Sequence, residues 1–209
     1  MSLDTYANLK LELINWSHRT DLDLKIDSFI DLAESEMLAN TSFPLQLRGE
    51  ETLVAFSTSI SDRFVALPTG YQSMRKVRIQ ISNGPSVEMI YRSPSQLTVE
   101  FDAGFPRFYT VTDQIEFDRV SDQVYSGEFQ YYKDFTALSS SNTTNTVLTN
   151  HPTIYLFGSL WALYLYTNED LEAEAMYLRF INAIRGANKK SKLGRYGPAP
   201  VMRIEGYVP

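Results

Sequence analysis

The sequence predicts an α+β fold: a four-helix bundle of two N-terminal and two C-terminal helices, an inserted antiparallel β-rich domain, and an extended C-terminal arm. Three observations predict it. Apolar residues recur at steps of three and four at both ends of the chain, the signature of a helix that buries one face. Between them the period falls to two, as it does when side chains alternate across a sheet. Beyond residue 190, glycine and proline recur too often for a helix to continue. The corresponding boundaries are 1–45 for the first helical pair, 46–135 for the β insertion, 136–190 for the connection and second pair, and 191–209 for the arm.

In the first helix Tyr6, Leu9, Leu13 and Trp16 form one stripe, with Ser2 or Asp4 placed to cap it. The run Ser17-His18-Arg19-Thr20 breaks the pattern, and Asp21 or Asp23 is placed to cap the second helix. There Ile26, Phe29, Ile30, Ala33 and Met37 line one side, while Asp27, Asp31 and Glu34 are expected to face away. Asn40-Thr41-Ser42 before Pro44 ends it, giving an antiparallel hairpin.

Strands follow. Residues 52–57 and 63–67 are short candidates, closed by Pro68-Thr69-Gly70. Residues 74–81 put Val77, Ile79 and Ile81 on one face, with Lys76, Arg78 and Gln80 on the other. Ser82-Asn83-Gly84-Pro85 is a turn signal, so 87–91 is expected to fold back as a hairpin partner. Ser93-Pro94-Ser95-Gln96 has the order of a helix start, and a short helix is expected to run to about residue 100. Runs at 107–112, 114–117 and 128–132 complete a small antiparallel sheet or barrel.

Residues 136–150, rich in Ser, Thr and Asn, read as an exposed connection. Asn150 is placed to cap a helix over 152–166 that is apolar almost all round, and such a helix belongs in a core. Gly158 and Ala162 on it would let a neighbouring helix approach closely. Asn168 opens the last helix, whose early acids (Glu169, Asp170, Glu172) and late lysines (Lys189, Lys190, Lys192) match the helix dipole. Its apolar residues cover more than one stripe, which leaves Met176, Tyr177, Phe180 and Ile184 as candidate subunit contacts.

Composition excludes several chemistries. The chain has no cysteine and two histidines, His18 and His151, which rules out thiol catalysis and thiolate or multi-histidine metal sites within one subunit. Neither nucleotide-binding loops nor metalloprotease or hydrolase motifs occur. Paired acids at Asp21/Asp23 and Glu169/Asp170/Glu172/Glu174 read as helix-start residues in preference to a glycan-hydrolysing or divalent-ion site. His151 reads likewise as a capping-region side chain, and no catalytic residue, metal, cofactor or small-molecule substrate is expected.

The start has no leader-like pattern, and the most apolar stretch, 154–166, falls short of the ~20 residues a bilayer span needs. A soluble protein made inside the cell is expected. The net charge is −6, but unevenly placed: residues 1–51 carry ten acids against four bases, whereas 188–209 carry five bases against Glu205. This basic tail admits three readings: a nucleic-acid-binding segment, a disordered end, or an arm laid on a partner. Its apolar content favours the arm, with Leu193, Arg195, Tyr196, Val201, Met202, Arg203, Ile204 and Tyr207 as contacts.

Several segments carry a family resemblance. They are MSLDTYANLKLELINWSHRTDL with IDSFIDLAESEM at the start, LPTGY (67–71), YRSPSQL (91–97), PRFYTV (106–111) and the run from FQYYKDF to LWALYLY (129–166). The sequence resembles the head-to-tail adaptor (connector) proteins of tailed phages, and is similar to the tail tubular protein A group of short-tailed viruses. That resemblance implies a virion structural protein, assembled in the host cytoplasm. It further implies a ring of twelve subunits between the portal and the next tail protein or nozzle, with DNA passing non-specifically through the lumen. A terminal arm would grip the portal or a neighbour, and the β insertion would face the tail. An acidic protein suits a conduit that must not hold DNA tightly.

Overall fold

A computed structural model describes residues 3–39, 42, 44–81 and 84–194, which form two units. One combines the residues up to Gly49 with those from Phe135 onward; the other is Glu50–Asp134.

The first unit is helical: α1 (Tyr6–Ser17), α2 (Ile26–Ala39), α3 (Thr146–Asn150), α4 (Pro152–Tyr166) and α5 (Asp170–Leu193). Helix α1 starts after Thr5, which is extended and accepts from the Asn8 N–H at 3.3 Å. Asp4, expected to be the cap, accepts instead from the Asn8 side chain at 2.8 Å, and Ser2 lies outside the described residues. His18 ends the helix in the left-handed region, at φ 53°. Tyr6, Leu9 and Leu13 are buried as their spacing predicts, whereas Trp16 stays half exposed with its ring edge-on to Phe157 at 6.2 Å.

Neither Asp21 nor Asp23 caps α2 with its side chain. A 3₁₀ turn, Asp23–Lys25, leads into the helix, and Asp21 pairs with Arg19 at 2.8 Å. The two N-terminal helices also fail to form an aligned hairpin. The Tyr6 hydroxyl donates to Asp27 at 2.8 Å, and Lys10 pairs with the same carboxylate at 2.7 Å. In an aligned antiparallel pair those first turns would lie most of a helix length apart, ~15 Å at about 1.5 Å per residue. Helix α1 instead packs mainly on α4.

Helix α4 is the centre of this unit and packs against α1, α2, α3 and α5. Its N-terminal neighbour is His151; Asn150, the expected cap, turns its amide back to the Thr146 carbonyl at 3.0 Å. The close approach expected at Gly158 is present, because a Cβ there would lie 3.0 Å from the Ala33 Cβ of α2 and 2.9 Å from the Phe180 ring of α5. A Gly158→Ala variant is expected to be less stable by about 1–2 kcal/mol. Overpacking costs ~1–3 kcal/mol, and the better helix propensity of alanine returns up to ~1 kcal/mol. Chemical denaturation of the two proteins checks this.

The connection after Phe135 is not wholly exposed: Leu138, Val147 and Leu148 are buried, and Asn145 caps α3 by accepting from the Leu148 N–H at 2.8 Å. Between α4 and α5 Asn168 adopts φ 59°, so α5 begins at Asp170 and not at Asn168. Helix α5 then continues through Ser191 and Lys192 to Leu193, so the first residues expected in an extended arm are helical. Nothing before Gly194 interrupts the helical backbone pattern.

The second unit holds two four-stranded sheets on one shared core of Val77, Ile79, Tyr109, Ile115, Phe117, Phe129 and Tyr131. Its strands are β1 (Glu51–Ser57), β2 (Phe64–Ala66), β3 (Tyr71–Gln80), β4 (Ser86–Glu88), β5 (Ile90–Tyr91), β6 (Phe108–Val111), β7 (Gln114–Phe117) and β8 (Ser126–Lys133). The orders are β1-β8-β3-β4 and β2-β7-β6-β5, antiparallel throughout except β5 with β6. The expected hairpin partner of β3 thus divides in two. Met89 is buried and donates its N–H to the Val77 carbonyl at 2.9 Å; beyond it the chain leaves for the second sheet.

The short helix expected after Ser93 is a single turn, closed by the Gln96 N–H to Ser93 carbonyl bond at 2.8 Å. Its would-be continuation, Thr98 and Val99, is β-branched, and the Glu100 N–H is taken by the Asp118 carbonyl at 2.8 Å.

Candidate interaction surfaces

Helix α5 carries the contact residues expected from sequence, and it divides them. Phe180 and Ile184 are fully buried in the helical core, so they cannot meet a second subunit while this unit is folded. Met176 and Tyr177 are half-buried against the same core. The Tyr177 hydroxyl donates to Glu36 of α2 at 2.9 Å, and its ring lies 5.2 Å from Trp161. The outward stripe is another set, Leu171, Ala175, Leu178, Asn182, Arg185, Lys189 and Lys192, at steps of four and three. Leu178 is 60% exposed and Leu193, the one described arm candidate, 65%. Arg195, Tyr196, Val201, Met202, Arg203, Ile204 and Tyr207 lie outside the described residues.

The outer face of α2 is a second such surface. Ser28, Asp31, Leu32, Ser35 and Leu38 are exposed along it, opposite the buried Ile26–Met37 stripe. Helix α2 also holds a residue that sequence reading placed wrongly. Glu34, expected to face solvent, is 5% exposed. Its Oε1 accepts from the Tyr155 hydroxyl at 2.7 Å and from the Leu138 N–H at 2.8 Å. Asn145 donates to the Tyr155 oxygen at 2.6 Å and to the Thr136 carbonyl at 2.8 Å, so one polar chain fastens the connection after Phe135 to α2 and α4. The signal was present in the spacing, since Glu34 falls four residues after Ile30 and three before Met37. Burial pushes its carboxyl pKa up, against the opposing effect of the Tyr155 and Leu138 hydrogen bonds.

In the β unit a second buried carboxylate, Asp118, organises the segment between β5 and β6. It accepts from the backbone N–H groups of Arg107 at 3.0 Å and Phe108 at 3.2 Å, with the Arg119 guanidinium alongside. Arg119 also pairs with Glu100. These contacts, with the Gly104 N–H to Val120 carbonyl bond at 3.0 Å, pin the chain on both sides of Phe101, which is 99% exposed. Strand β1 is an edge strand, and Leu53, Val54 and Ala55 are exposed in succession on it.

Asp21 is held below the usual carboxylate range by Arg19, and α5 has no side-chain cap at Glu169. Burial, and after it the neighbouring Lys190, lower the His151 pKa from its ordinary value. His151 lines a recess of about 380 Å³ with Leu47, Gly49, Thr146, Asn150, Lys190, Ser191 and Gly194, none of them acidic. Among the described residues no group of three His, Cys, Asp or Glu side chains could hold a metal ion. No helix among them is long and apolar enough to cross a membrane.

The model of the family described as SU10 adaptor protein matches residues 4–203, nearly the whole chain. A search of curated proteins finds no match.

Proposed function

The chain belongs to the SU10 adaptor protein family, a structural phage protein family, and from that premise we propose a finer role for it as a head-to-tail adaptor of the virion. The match over residues 4–203 is the observation that carries the reading. Copies of the chain form a ring, of twelve subunits as in the tail tubular protein A group that the sequence resembles. The ring sits on the portal, extends the DNA channel, and receives the next tail protein.

In this reading α1, α2, α4 and α5 act as the four-helix bundle of each subunit, and the segment 191–209 grips the portal or a neighbouring subunit. The exposed Phe101 and the β1 edge support the assignment of the tail-facing surface to the β unit, since both offer apolar contact without helical partners. The role is one of assembly, with no catalytic step.

Electron microscopy of the full chain mixed with its portal tests the reading. An added ring on one face of the portal is the expected result. A portal complex without that ring overturns it.

A further inference from the structure

Helix α5 carries an exposed face whose composition the helical core does not explain. From Arg179 to Lys192 seven positions are exposed: five are Arg or Lys, and the other two are Asn182 and Gly186. The exposed leucines, Leu178 and Leu193, stand outside this stretch at either end. No acid occurs between Ala175 and Gly194, nor in the segments 40–49 and 136–166, which supply residues beside the end of the helix. The helix dipole accounts for Lys190 and Lys192 in the last turn, but its influence fades within a turn. Arg179 and Arg185 lie beyond that reach.

The cations border a bare strip. Arg185, Lys189 and Lys192 recur at steps of four and three along one flank, where they line a recess of about 360 Å³. Asn188 fixes the segment that walls it, accepting from the Gln46 N–H at 2.9 Å and donating to the Pro44 carbonyl at 2.9 Å. Arg179 and Lys190, about three turns apart, mark the other flank, and Lys190 lines the recess it shares with His151. Between the flanks lie Asn182 and Gly186, four residues apart. Packing requires Gly158 of α4, but Gly186 has no neighbour within 4 Å of the place a Cβ would take. Only proline suits a helix interior less than glycine, so the fold gains nothing from Gly186. A bare position does permit a ligand to come close to the helix backbone.

We propose that this face binds the phosphate backbone of duplex DNA, with Gly186 at the point of closest approach and the cations of both flanks on the phosphates. The chemistry of the face selects that ligand. A polyanion complements a surface of five cations and no acid. A protein partner needs apolar anchors at the centre of its contact, where lysine is depleted, and the centre here is Asn182 and Gly186. A single strand needs aromatic platforms for its bases, and none of the seven exposed positions is aromatic. Contacts to phosphate alone read no base sequence and weaken steeply with salt, so the hold is brief at cellular ionic strength. The inference goes beyond the ring and does not depend on it: a monomer can bind DNA through this face, and a ring can form without it.

Fluorescence anisotropy of a labelled duplex of ~30 base pairs, titrated with the full chain from about 20 to 200 mM NaCl, tests the proposal. The expected slope of log K against log salt lies between about −4 and −5, for five phosphate contacts at ~0.9 each. Lys189→Gln combined with Lys190→Gln lowers its magnitude by about 2. Arg195→Gln combined with Arg203→Gln removes as much charge from the segment after α5 and leaves the slope unchanged. Gly186→Gln keeps the charge and raises the melting temperature, because glutamine is the better helix former, yet it weakens DNA binding several-fold.

No binding at the lowest salt overturns the proposal. A slope that falls with the Arg195 and Arg203 substitutions, and not with those at Lys189 and Lys190, overturns it in favour of the terminal segment. Undiminished binding by Gly186→Gln overturns the close approach at the centre of the face. Equal affinity for poly-glutamate of matched charge overturns DNA as the ligand and points to an acidic protein surface.

Discussion

Replacing Glu34 by alanine lowers the stability of the helical unit by about 3 kcal/mol. The loss has a defined origin: the substitution leaves the Leu138 N–H and the Tyr155 hydroxyl buried without their acceptor. Each such group costs ~1–3 kcal/mol, and relief from burying a carboxylate returns part of the sum. Glu34→Gln behaves differently, because an amide oxygen in the same place accepts both bonds and carries no charge. It is expected to fall within about 1 kcal/mol of the native protein.

The two also separate with pH. Burial raises the Glu34 pKa above its ordinary 4.5, so its protonated form suits the folded state better than its charged form. The stability that this preference contributes is fully present below pH 4.5 and is lost as pH rises through the raised folded value. Glu34→Gln lacks this dependence and gains on the native protein across that interval. Both tryptophans, Trp16 and Trp161, lie in the helical unit, so urea titrations followed by tryptophan fluorescence report on it. A native protein whose stability relative to Glu34→Gln stays flat with pH would show that Glu34 is not buried as described.

Gly127→Ala is expected to displace β1 and cost the β unit about 3 kcal/mol. Gly127 stands directly opposite Phe56 in the β1–β8 register, and the Phe56 ring lies across it to stack on Phe129 with centroids 3.9 Å apart. A Cβ at 127 would intrude on that ring and sit 2.7 Å from the Arg78 carbonyl oxygen of β3. The ring can swing out only by giving up its stacking on Phe129, and the β3 backbone cannot yield without loosening its own ladder. Overpacking alone accounts for ~1–3 kcal/mol, and the lost aromatic contact for ~0.5–1.5 kcal/mol more. Hydrogen exchange over residues 51–57 should accelerate while the tryptophan-reported transition of the helical unit stays in place. Adding Phe56→Ala removes the clash with the ring but not that with the Arg78 carbonyl, so the glycine substitution should cost less in that background without becoming neutral.

What sequence spacing resolves well is any element whose side chains meet water on one face and the core on the other. The α2 stripe, Ile26, Phe29, Ile30, Ala33 and Met37, is buried residue for residue. Helix α4 spans Pro152–Tyr166 as its apolar content predicts, and Val77 and Ile79 of β3 alternate inward. Periodicity fails where a residue's environment is set by another segment. Glu34 is polar on a buried flank because its partners, Leu138 and Tyr155, are more than one hundred residues away in the chain. The run after Ser93 carries a helix-start order and still forms one turn, because Asp118 claims its backbone at Glu100.

The candidate contact surface follows the same division. Apolar excess on α5 is legible from composition, but which of its two stripes faces inward is not. Phe180 and Ile184 fill space beside Gly158 and the helical core, and the cationic Leu178 stripe is left outside. The sequence by itself determined the class of fold, most element boundaries, the lack of thiol chemistry and the family to which the chain belongs, because these depend on local periodicity, composition and motif order. Tertiary structure alone decided the crossing of α1 and α2, the splitting of the β run at Met89, the burial of Glu34 and Asp118, and the outward face of α5. Each of those depends on a contact between residues distant along the chain, and local spacing carries no record of such a contact.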